Sequence, residues 1–210
     1  MLLRIDSLAV RRGGRTIIEG ISLEVGAGEL VGVVGANGSG KSTLLGCIAG
    51  VLPPRDGRVT IADAAVWGSH AERARARRAI GYVPEAADPP GFLTGAELWA
   101  LCAASRQCEL PTAALVDKLG LDELRDKPLD KLSLGQRRRA CLGGAFTGPP
   151  KLLVLDEPDN GLDAKHLAAL VELVNQHAAD GGACILASHD AALLDQLGAR
   201  RFALAALDAR

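Results

Sequence analysis

Three things are scarce in this sequence: aromatic residues, an excess of charge of either sign, and long apolar runs. Aromatic residues make up 3% of the 210 residues, and 24 Lys plus Arg nearly balance 25 Asp plus Glu. This balance gives no reason to expect nucleic acid or an acidic partner. No apolar run approaches the roughly 18 residues of a membrane span, and charges at Arg4 and Asp6 come too early for a signal peptide. We therefore expect a cytoplasmic protein with a single large core.

Paired cysteines are missing as well. The five cysteines are odd in number and contain no Cys-x-x-Cys pair, which argues against a zinc or redox motif. In a reducing compartment such residues are expected to be free, mostly buried thiols. They are Cys47, Cys102, Cys108, Cys141 and Cys184.

A phosphate-binding pattern stands out in what is present. Gly35 and Gly40 are separated by four residues and are followed by Lys41 and Ser42, after an apolar run at 29–34 that predicts a strand. Glycines let backbone N–H groups turn inward at a helix N-terminus, although glycine-rich turns also occur for packing reasons alone. Lys41 would add charge for the β and γ phosphates, and Ser42 a ligand for Mg²⁺. The residues expected to bind nucleotide, which we call the phosphate loop, are Gly35, Ala36, Asn37, Gly38, Ser39, Gly40, Lys41, Ser42 and Thr43.

Strand and helix patterns alternate along the rest of the chain. Residues 1–25 predict an antiparallel β element with a basic turn, and later apolar runs predict buried strands at 151–155 and 183–187. Residues 86–131 show helical patterns without a strand. The fold class is therefore α/β, a P-loop NTPase with a mostly parallel central sheet. Its core would comprise 1–85 and 132–210, with 86–131 as an inserted helical subdomain.

Two later helices have candidate N-caps. Ser133 is a plausible N-cap of a helix that carries the run Arg137, Arg138 and Arg139 and ends at Phe146, before two prolines. Asp163 can cap the helix that follows the second buried strand.

Charged side chains follow two of the predicted strands. Asp156 and Glu157 come directly after one, and His189 comes after another. Because parallel strands present their carboxyl ends at one edge, we expect these residues beside Lys41 and Ser42. Asp156 would hold Mg²⁺ through water, and Glu157 would orient and deprotonate the attacking water. His189 would donate a hydrogen bond to the γ phosphate, although a lone histidine at a strand end is more often incidental.

The order of these motifs resembles the ATP-binding cassette (ABC) ATPases over nearly the whole chain. Each motif is short, but together they occur in the family's order. They are the Walker A loop at 35–43, a Q-loop at 82–85, the signature at 132–136, Walker B at 156–157, the D-loop at 160–163 and the switch His189.

The resemblance implies a partnership between subunits. In this family two ATPase subunits, identical or different, meet head to tail, and each ATP lies between the Walker A loop of one and the signature of the other. Ser133, Gly135 and Gln136 would then reach the γ phosphate on a second subunit, and Asp163 would join the nucleotide-binding residues. The cofactors implied are ATP and Mg²⁺. The other implied partner is an integral membrane permease, which would hold the chain on the inner face of the cell membrane, and no nucleic acid is expected.

Three positions depart from the family pattern. Glu85 stands where Gln is usual; it can still ligate Mg²⁺, but it repels phosphate and predicts weaker Mg²⁺-free nucleotide binding. Arg12 stands where an aromatic residue usually stacks on adenine, and it is equally compatible with stacking and with solvation. Leu134 replaces a glycine of the signature. The sequence from Tyr82 to Glu85 and the short chain resemble compact export ATPases, including the haem-exporter type, which favours export.

Two other classes of function fit this sequence less well. A soluble, non-transport ABC ATPase acting on DNA or ribosomes would carry a long coiled coil or a second cassette, and this sequence shows neither. A nucleotide-dependent regulator with little turnover is disfavoured by Glu157 and His189. The transported substrate is not predictable, because in this family the translocation path belongs to the membrane partner.

Overall fold

The computed structural model of the chain describes residues 1–205, whose strands form an antiparallel and a parallel sheet. The strands are β1 (Leu3–Arg12), β2 (Arg15–Val25), β3 (Leu30–Val34), β4 (Asp56–Ile61), β5 (Ala64–Ala65), β6 (Ile80–Val83), β7 (Leu152–Asp156), β8 (Ala183–Ala187) and β9 (Arg200–Ala203). The helices are α1 (Lys41–Ile48), α2 (His70–Arg78), α3 (Gly95–Arg106), α4 (Ala113–Leu119), α5 (Leu134–Phe146), α6 (Ala164–Ala179) and α7 (Ala191–Gln196). The predicted α/β class is confirmed.

The antiparallel sheet has the strand order β2-β1-β4-β5. Leu3 pairs with Val25 on one side and with Ile61 on the other, and these three apolar residues are buried. The turn between β1 and β2 is made by Gly13 and Gly14, both with positive φ, a conformation that glycine adopts without strain. The predicted antiparallel element and its basic turn are therefore confirmed.

The parallel sheet has the order β6-β7-β8-β3-β9. The three central strands are almost wholly buried, because helices or the antiparallel sheet cover both faces. Val33 of β3 and Asp156 of β7 both pair with Ala187 of β8. The carboxyl ends of these strands are therefore level, and the segments that follow them emerge side by side.

Local capping chemistry fixes where several helices begin. At the start of α5, the Ser133 hydroxyl accepts the N–H of Gln136, and the Gln136 side chain accepts the N–H of Ser133. This reciprocal pair is a capping box, and Ser69 with Glu72 and Thr94 with Glu97 make the same pair at α2 and α3. Ser133 is thus the predicted N-cap, and α5 ends at Phe146 as the sequence indicates.

Two apolar clusters hold the layers together. One joins the antiparallel sheet, α1 and one face of the parallel sheet. The other joins the opposite face to helices α3 to α7. Within the second, Trp99 of α3 donates its indole N–H to the Ala140 carbonyl of α5 at 2.9 Å. Helix α5 packs on the helices of the insertion although it lies past residue 131, so the division at 86 and 131 stays a prediction.

The structure bears on two expectations from composition, the burial of the cysteines and the lack of a membrane-spanning helix. Cys47 and Cys184 are buried, but Cys102, Cys108 and Cys141 are only half-buried, because they line cavities, so the expectation of mostly buried thiols is wrong for three of five. All five are free thiols. Within residues 1–205, no helix combines the length and the apolar character needed to cross a bilayer.

Gly81 of β6 provides a test of this packing. A Cβ at this position would overlap the backbone carbonyl oxygen of Ala145, which belongs to α5 and cannot move away as a flexible side chain would. We expect Gly81→Ala to lower the free energy of unfolding by about 1–3 kcal/mol, measured by urea denaturation. Gly26→Ala is the control, because a Cβ added at this position would come no closer than 3.7 Å to its nearest neighbour, the Glu29 carboxylate. Equal stability of the two variants would contradict the close packing of β6 on α5.

Candidate active site

The phosphate loop lies between β3 and α1, where the backbone turns sharply. Gly38 and Gly40 have φ of 79° and 100°, values that residues with a side chain rarely adopt. A Cβ on Gly35 would lie 2.5 Å from the Leu204 carbonyl oxygen and 2.7 Å from the Ser39 hydroxyl. The positive φ values and this crowding therefore explain why glycine occupies these positions.

Lys41 begins α1 and folds back over the loop. Its Nζ donates to the carbonyl oxygens of Gly35 at 2.9 Å and Ala36 at 3.3 Å, and the residue is largely buried. The ammonium charge is therefore held at the N-terminal end of a helix, where the helix dipole also favours an anion. Two sources of positive potential coincide at this loop.

Three oxygen-bearing side chains meet next to the start of α1. The Ser42 hydroxyl donates to the Glu85 carboxylate at 3.2 Å, and Glu85 follows the end of β6. Asp156, at the end of β7, is buried, and its Oδ1 has no hydrogen-bond partner among the described residues. A buried carboxylate oxygen without a partner is costly, and such an atom is suited to a cation or an ordered water.

Glu157 follows Asp156 and takes an unusual backbone conformation. Its φ is +48°, and its N–H donates to the Ala187 carbonyl at the end of β8. One carboxylate oxygen accepts the backbone N–H of His189 at 3.1 Å, and the other lies 3.3 Å from Nε2 of the His189 ring. Left-handed backbone at a residue with a side chain is concentrated at functional sites. The Glu157 carboxylate is buried while the imidazole is exposed.

The acidic side chains at this edge are hard to ionise. Burial raises the pKa of Asp156, the charge of Glu85 adds to this effect, and the nearby Ser42 hydroxyl and Glu85 backbone lower it. Burial also raises the pKa of Glu157, while the backbone N–H and the ring of His189 lower it. Both carboxylates therefore favour neutralisation by a proton or a cation.

A cavity of about 420 Å³ opens over the phosphate loop. Arg12 and Ile17 of the antiparallel sheet line it together with Glu85, Glu157 and His189, which follow strands of the parallel sheet. Ile17 was not singled out from the sequence, since an apolar residue in a β pattern reads as core. The remaining lining residues come from the phosphate loop: Asn37, Gly38, Gly40, Lys41, Ser42 and Thr43.

Not every predicted binding residue reaches this cavity. Ser133, Gly135, Gln136 and Asp163 are absent from its lining, and so are Asp156 and three residues of the phosphate loop, Gly35, Ala36 and Ser39. Asp163 instead caps α6, where its carboxylate accepts the His166 N–H at 2.9 Å, a predicted cap that is confirmed. A single chain therefore brings together the phosphate loop and the strand ends, but not the signature.

The signature lies at the N-terminus of α5 against the D-loop. A Cβ on Gly135 would overlap the carbonyl oxygen of Gly161, so these two segments touch through backbone atoms. Leu134 leaves 58% of its surface exposed and would meet a side chain added at Gly161. Signature and D-loop thus form one continuous surface.

Sequence reasoning missed Arg138, which it placed in α5 without a role. The side chain is 1% exposed and donates to the carbonyl oxygens of Pro84 and Glu85. The only hint in the sequence is a run of three arginines in a helix, which usually indicates a solvated face.

A family model described as "ABC transporter" matches residues 18–160, which contain the phosphate loop, the signature and both carboxylates of the β7 exit. The chain belongs to the ABC transporter family. It is an ATP-binding cassette, the nucleotide-binding and ATP-hydrolysing domain of such transporters, as the resemblance in the sequence implies.

Named relatives include both importers and exporters. The zinc import ATP-binding protein ZnuC of Cereibacter sphaeroides is 37% identical over 190 residues, which cover 90% of this chain and 73% of the relative. The cytochrome c biogenesis ATP-binding export protein CcmA of Novosphingobium aromaticivorans is 36% identical over 190 residues, 90% of each chain.

Solved structures agree with the fold. One described as the ATP binding subunit of an ABC transporter has a TM-score of 0.85 and 27% identity, over 94% of this chain and 83% of that one. The dimeric post-hydrolysis ATP-binding cassette MJ0796 bound to ADP and Pi also has a TM-score of 0.85. Its identity is 22%, over 98% of this chain and 96% of that one. The second supports the fold alone.

The raised pKa of Glu157 predicts a pH-dependent stability. Because the folded state holds this proton more tightly than the unfolded state, the free energy of unfolding falls as pH rises from the unfolded pKa through the folded one. Glu157→Gln should therefore have a higher melting temperature than the parent chain at pH 7 in EDTA, by roughly 2–4 °C for each kcal/mol gained in the free energy of unfolding. The difference in melting temperature should shrink toward pH 4.

Glu19→Gln, at an exposed strand position, is the control and should show neither effect. A pH-independent difference would contradict this assignment.

Proposed function

We propose that the chain is the ATPase subunit of an ABC exporter, which binds and hydrolyses MgATP to drive a separate membrane subunit. The observation that carries this proposal is the convergence of Lys41, Ser42, Glu85, Glu157 and His189 on one cavity. These residues come from four chain segments, and an arrangement that serves packing alone would have no reason to gather opposite charges around open space.

Nucleotide binding is assigned to the phosphate loop. Backbone N–H groups of residues 35–43 and the Lys41 ammonium supply positive potential for the phosphates. Arg12 lines the same cavity, where its guanidinium plane can stack on adenine. The neighbouring Ile17 offers an apolar surface for the same base.

The metal ligands are assigned to Ser42, Glu85 and Asp156. This set fits Mg²⁺, which prefers oxygen ligands, and the unpartnered Oδ1 of the buried Asp156 fits a metal-bound water. Bound Mg²⁺ supplies charge neutralisation for the phosphates. Glu85 adds a negative charge where relatives have a neutral amide, so phosphate binding without metal is expected to be weak.

Hydrolysis is assigned to Glu157 with His189. The Glu157 carboxylate is fixed by the His189 N–H and faces the cavity, where it can orient and deprotonate a water. Burial raises its pKa, which makes it a stronger base than an exposed glutamate once it is ionised. The exposed His189 ring can donate a hydrogen bond to charge that develops on the γ phosphate.

The active unit is a head-to-tail dimer, homomeric or heteromeric. Ser133, Gly135 and Gln136 do not line the cavity of their own chain, yet they form a capped helix N-terminus suited to an anion. In the dimer this terminus and Asp163 of the adjoining D-loop would complete the site of the second subunit. No nucleic acid has a place in this scheme.

Export is the proposed direction because of the resemblance from Tyr82 to Glu85 and the match to an export relative over 90% of both chains. Import is the alternative, since the zinc import relative is equally similar. The integral membrane permease would dock through residues 86–131 and the Q-loop, holding the chain on the inner face of the cell membrane.

Purification of the tagged chain from membranes tests the transport role. We expect an integral membrane protein to accompany it in fixed proportion, and vesicles of the complex to accumulate or release substrate with ATP. Recovery of ribosomes or DNA without a membrane protein would instead support the non-transport class. Lys41→Ala provides the control, because it should keep the partner but lose ATP-dependent transport.

A mixing experiment tests the shared site. Ser133→Asp keeps a good N-cap but sets a negative charge against the γ phosphate, and Lys41→Ala removes the phosphate-binding charge. Each variant alone should be inactive. In a head-to-tail dimer, an equal mixture regains one intact site per mixed dimer, about a quarter of wild-type ATPase activity with random C2 pairing. A mixture as inactive as its components would show that each chain forms its site alone.

A further inference from the structure

Arg138 is a buried cation that makes no ion pair within residues 1–205. It lies one turn into α5 and is 1% exposed, the largest of the fully buried side chains described. Burying a charge without a carboxylate partner is unfavourable unless hydrogen bonds compensate for lost water. The identity of its partners therefore matters.

Those partners are backbone carbonyl groups of two segments that enter the active site. One nitrogen, Nη2, donates to the Glu85 carbonyl oxygen at 2.7 Å, and Nη1 donates to that of Pro84 at 3.0 Å. The same Nη1 lies 3.5 Å from the carbonyl oxygen of Asp156, the last residue of β7. One guanidinium thus joins α5 to two of the three segments that carry proposed metal ligands, those of Glu85 and Asp156.

We propose that Arg138 is a positioning residue for the metal site, which holds the Glu85 carboxylate in place beside Ser42 and ties it to the signature helix. This inference rests on the proposed function, since it concerns the Mg²⁺ ligands assigned there. Because α5 begins at the signature, a rotation of this helix is transmitted through the guanidinium to Glu85.

Electrostatics supports the same placement. Burial lowers the pKa of Arg138, and Cys141 together with the carboxylates of Asp159, Asp156 and Glu157 opposes this shift. An arginine remains charged in such surroundings. Its charge therefore offsets part of the negative charge of the acidic cluster, which Glu85 enlarges in this chain.

The planar guanidinium is what allows two neighbouring carbonyl groups to be held at once. Lysine offers the same charge as a single point on a flexible stem and cannot reproduce the two-pronged geometry. Arg138→Lys therefore separates geometry from charge. Arg137→Lys is the matched control, because the adjacent Arg137 is half-buried and, within the described residues, pairs only with Asp88, at 3.2 Å.

The measurement is the affinity for a fluorescent, non-hydrolysable ATP analogue, determined in Mg²⁺ and again in EDTA. We expect Arg138→Lys to weaken binding in Mg²⁺ by about tenfold, as for other residues that orient metal ligands, with less than a twofold change in EDTA. Arg137→Lys should change neither value. Thermal melting in EDTA checks that each variant is folded, and Arg138→Gln, which retains an amide donor, replaces Arg138→Lys if the lysine variant does not fold.

The double variant decides whether Arg138 acts through Glu85. If it does, Arg138→Lys should have no further effect on the Mg²⁺ value in a Glu85→Gln background, because coupled residues are not additive. Equal weakening in Mg²⁺ and EDTA, or full additivity, would overturn the inference while leaving the proposed function intact. A Glu85→Gln variant whose affinity is unchanged with and without Mg²⁺ would instead refute the metal role of Glu85 itself.

Discussion

The parallel pairing of β3, β7 and β8 is the constraint on which the site depends. Val33 and Asp156 share Ala187 as a register partner, so the three strands end at one level. A shift of one residue in either pairing would turn every side chain of that strand to the opposite face. The helix N-terminus after β3, the acids after β7 and the imidazole after β8 are adjacent because this register is fixed among three buried central strands.

The same register gathers like charges in a place that water hardly reaches. Asp156 and Glu157 are buried side by side, with Glu85 nearby, and burial raises the pKa of both buried acids. Such a cluster opposes folding at neutral pH until cations balance it. The protein itself supplies a buried cation beside Asp156 and Glu157, the Arg138 guanidinium, and the proposed metal would be a second. The proposed metal site and the stability of the fold would therefore depend on the same group of side chains.

The fold and much of the site could be predicted because their determinants are local. Apolar patterns predict the strands. The caps at Ser133 and Asp163 are predictable because each side chain bonds the backbone N–H three residues later. Arg138 could not be predicted, since its partners are backbone oxygens some fifty positions away, which leave no trace in residue type. Partial exposure of three cysteines likewise depends on how the helical layer packs. The signature residues were identified by family resemblance, and their distance from the cavity agrees with the expectation that they serve another subunit.

Contact between Gly135 and the Gly161 carbonyl oxygen has a mechanical meaning. The segment from Glu157 to Asp163 begins at the base of one active site and ends under the signature of the same chain. Because the two segments touch through backbone atoms at this point, with no side chain between these atoms, we expect a displacement of one segment to displace the other. In a head-to-tail pair, a displacement of Glu157 on hydrolysis would move the signature that closes the opposite site. Each chain would therefore report the state of its own nucleotide to the site that it completes for its partner.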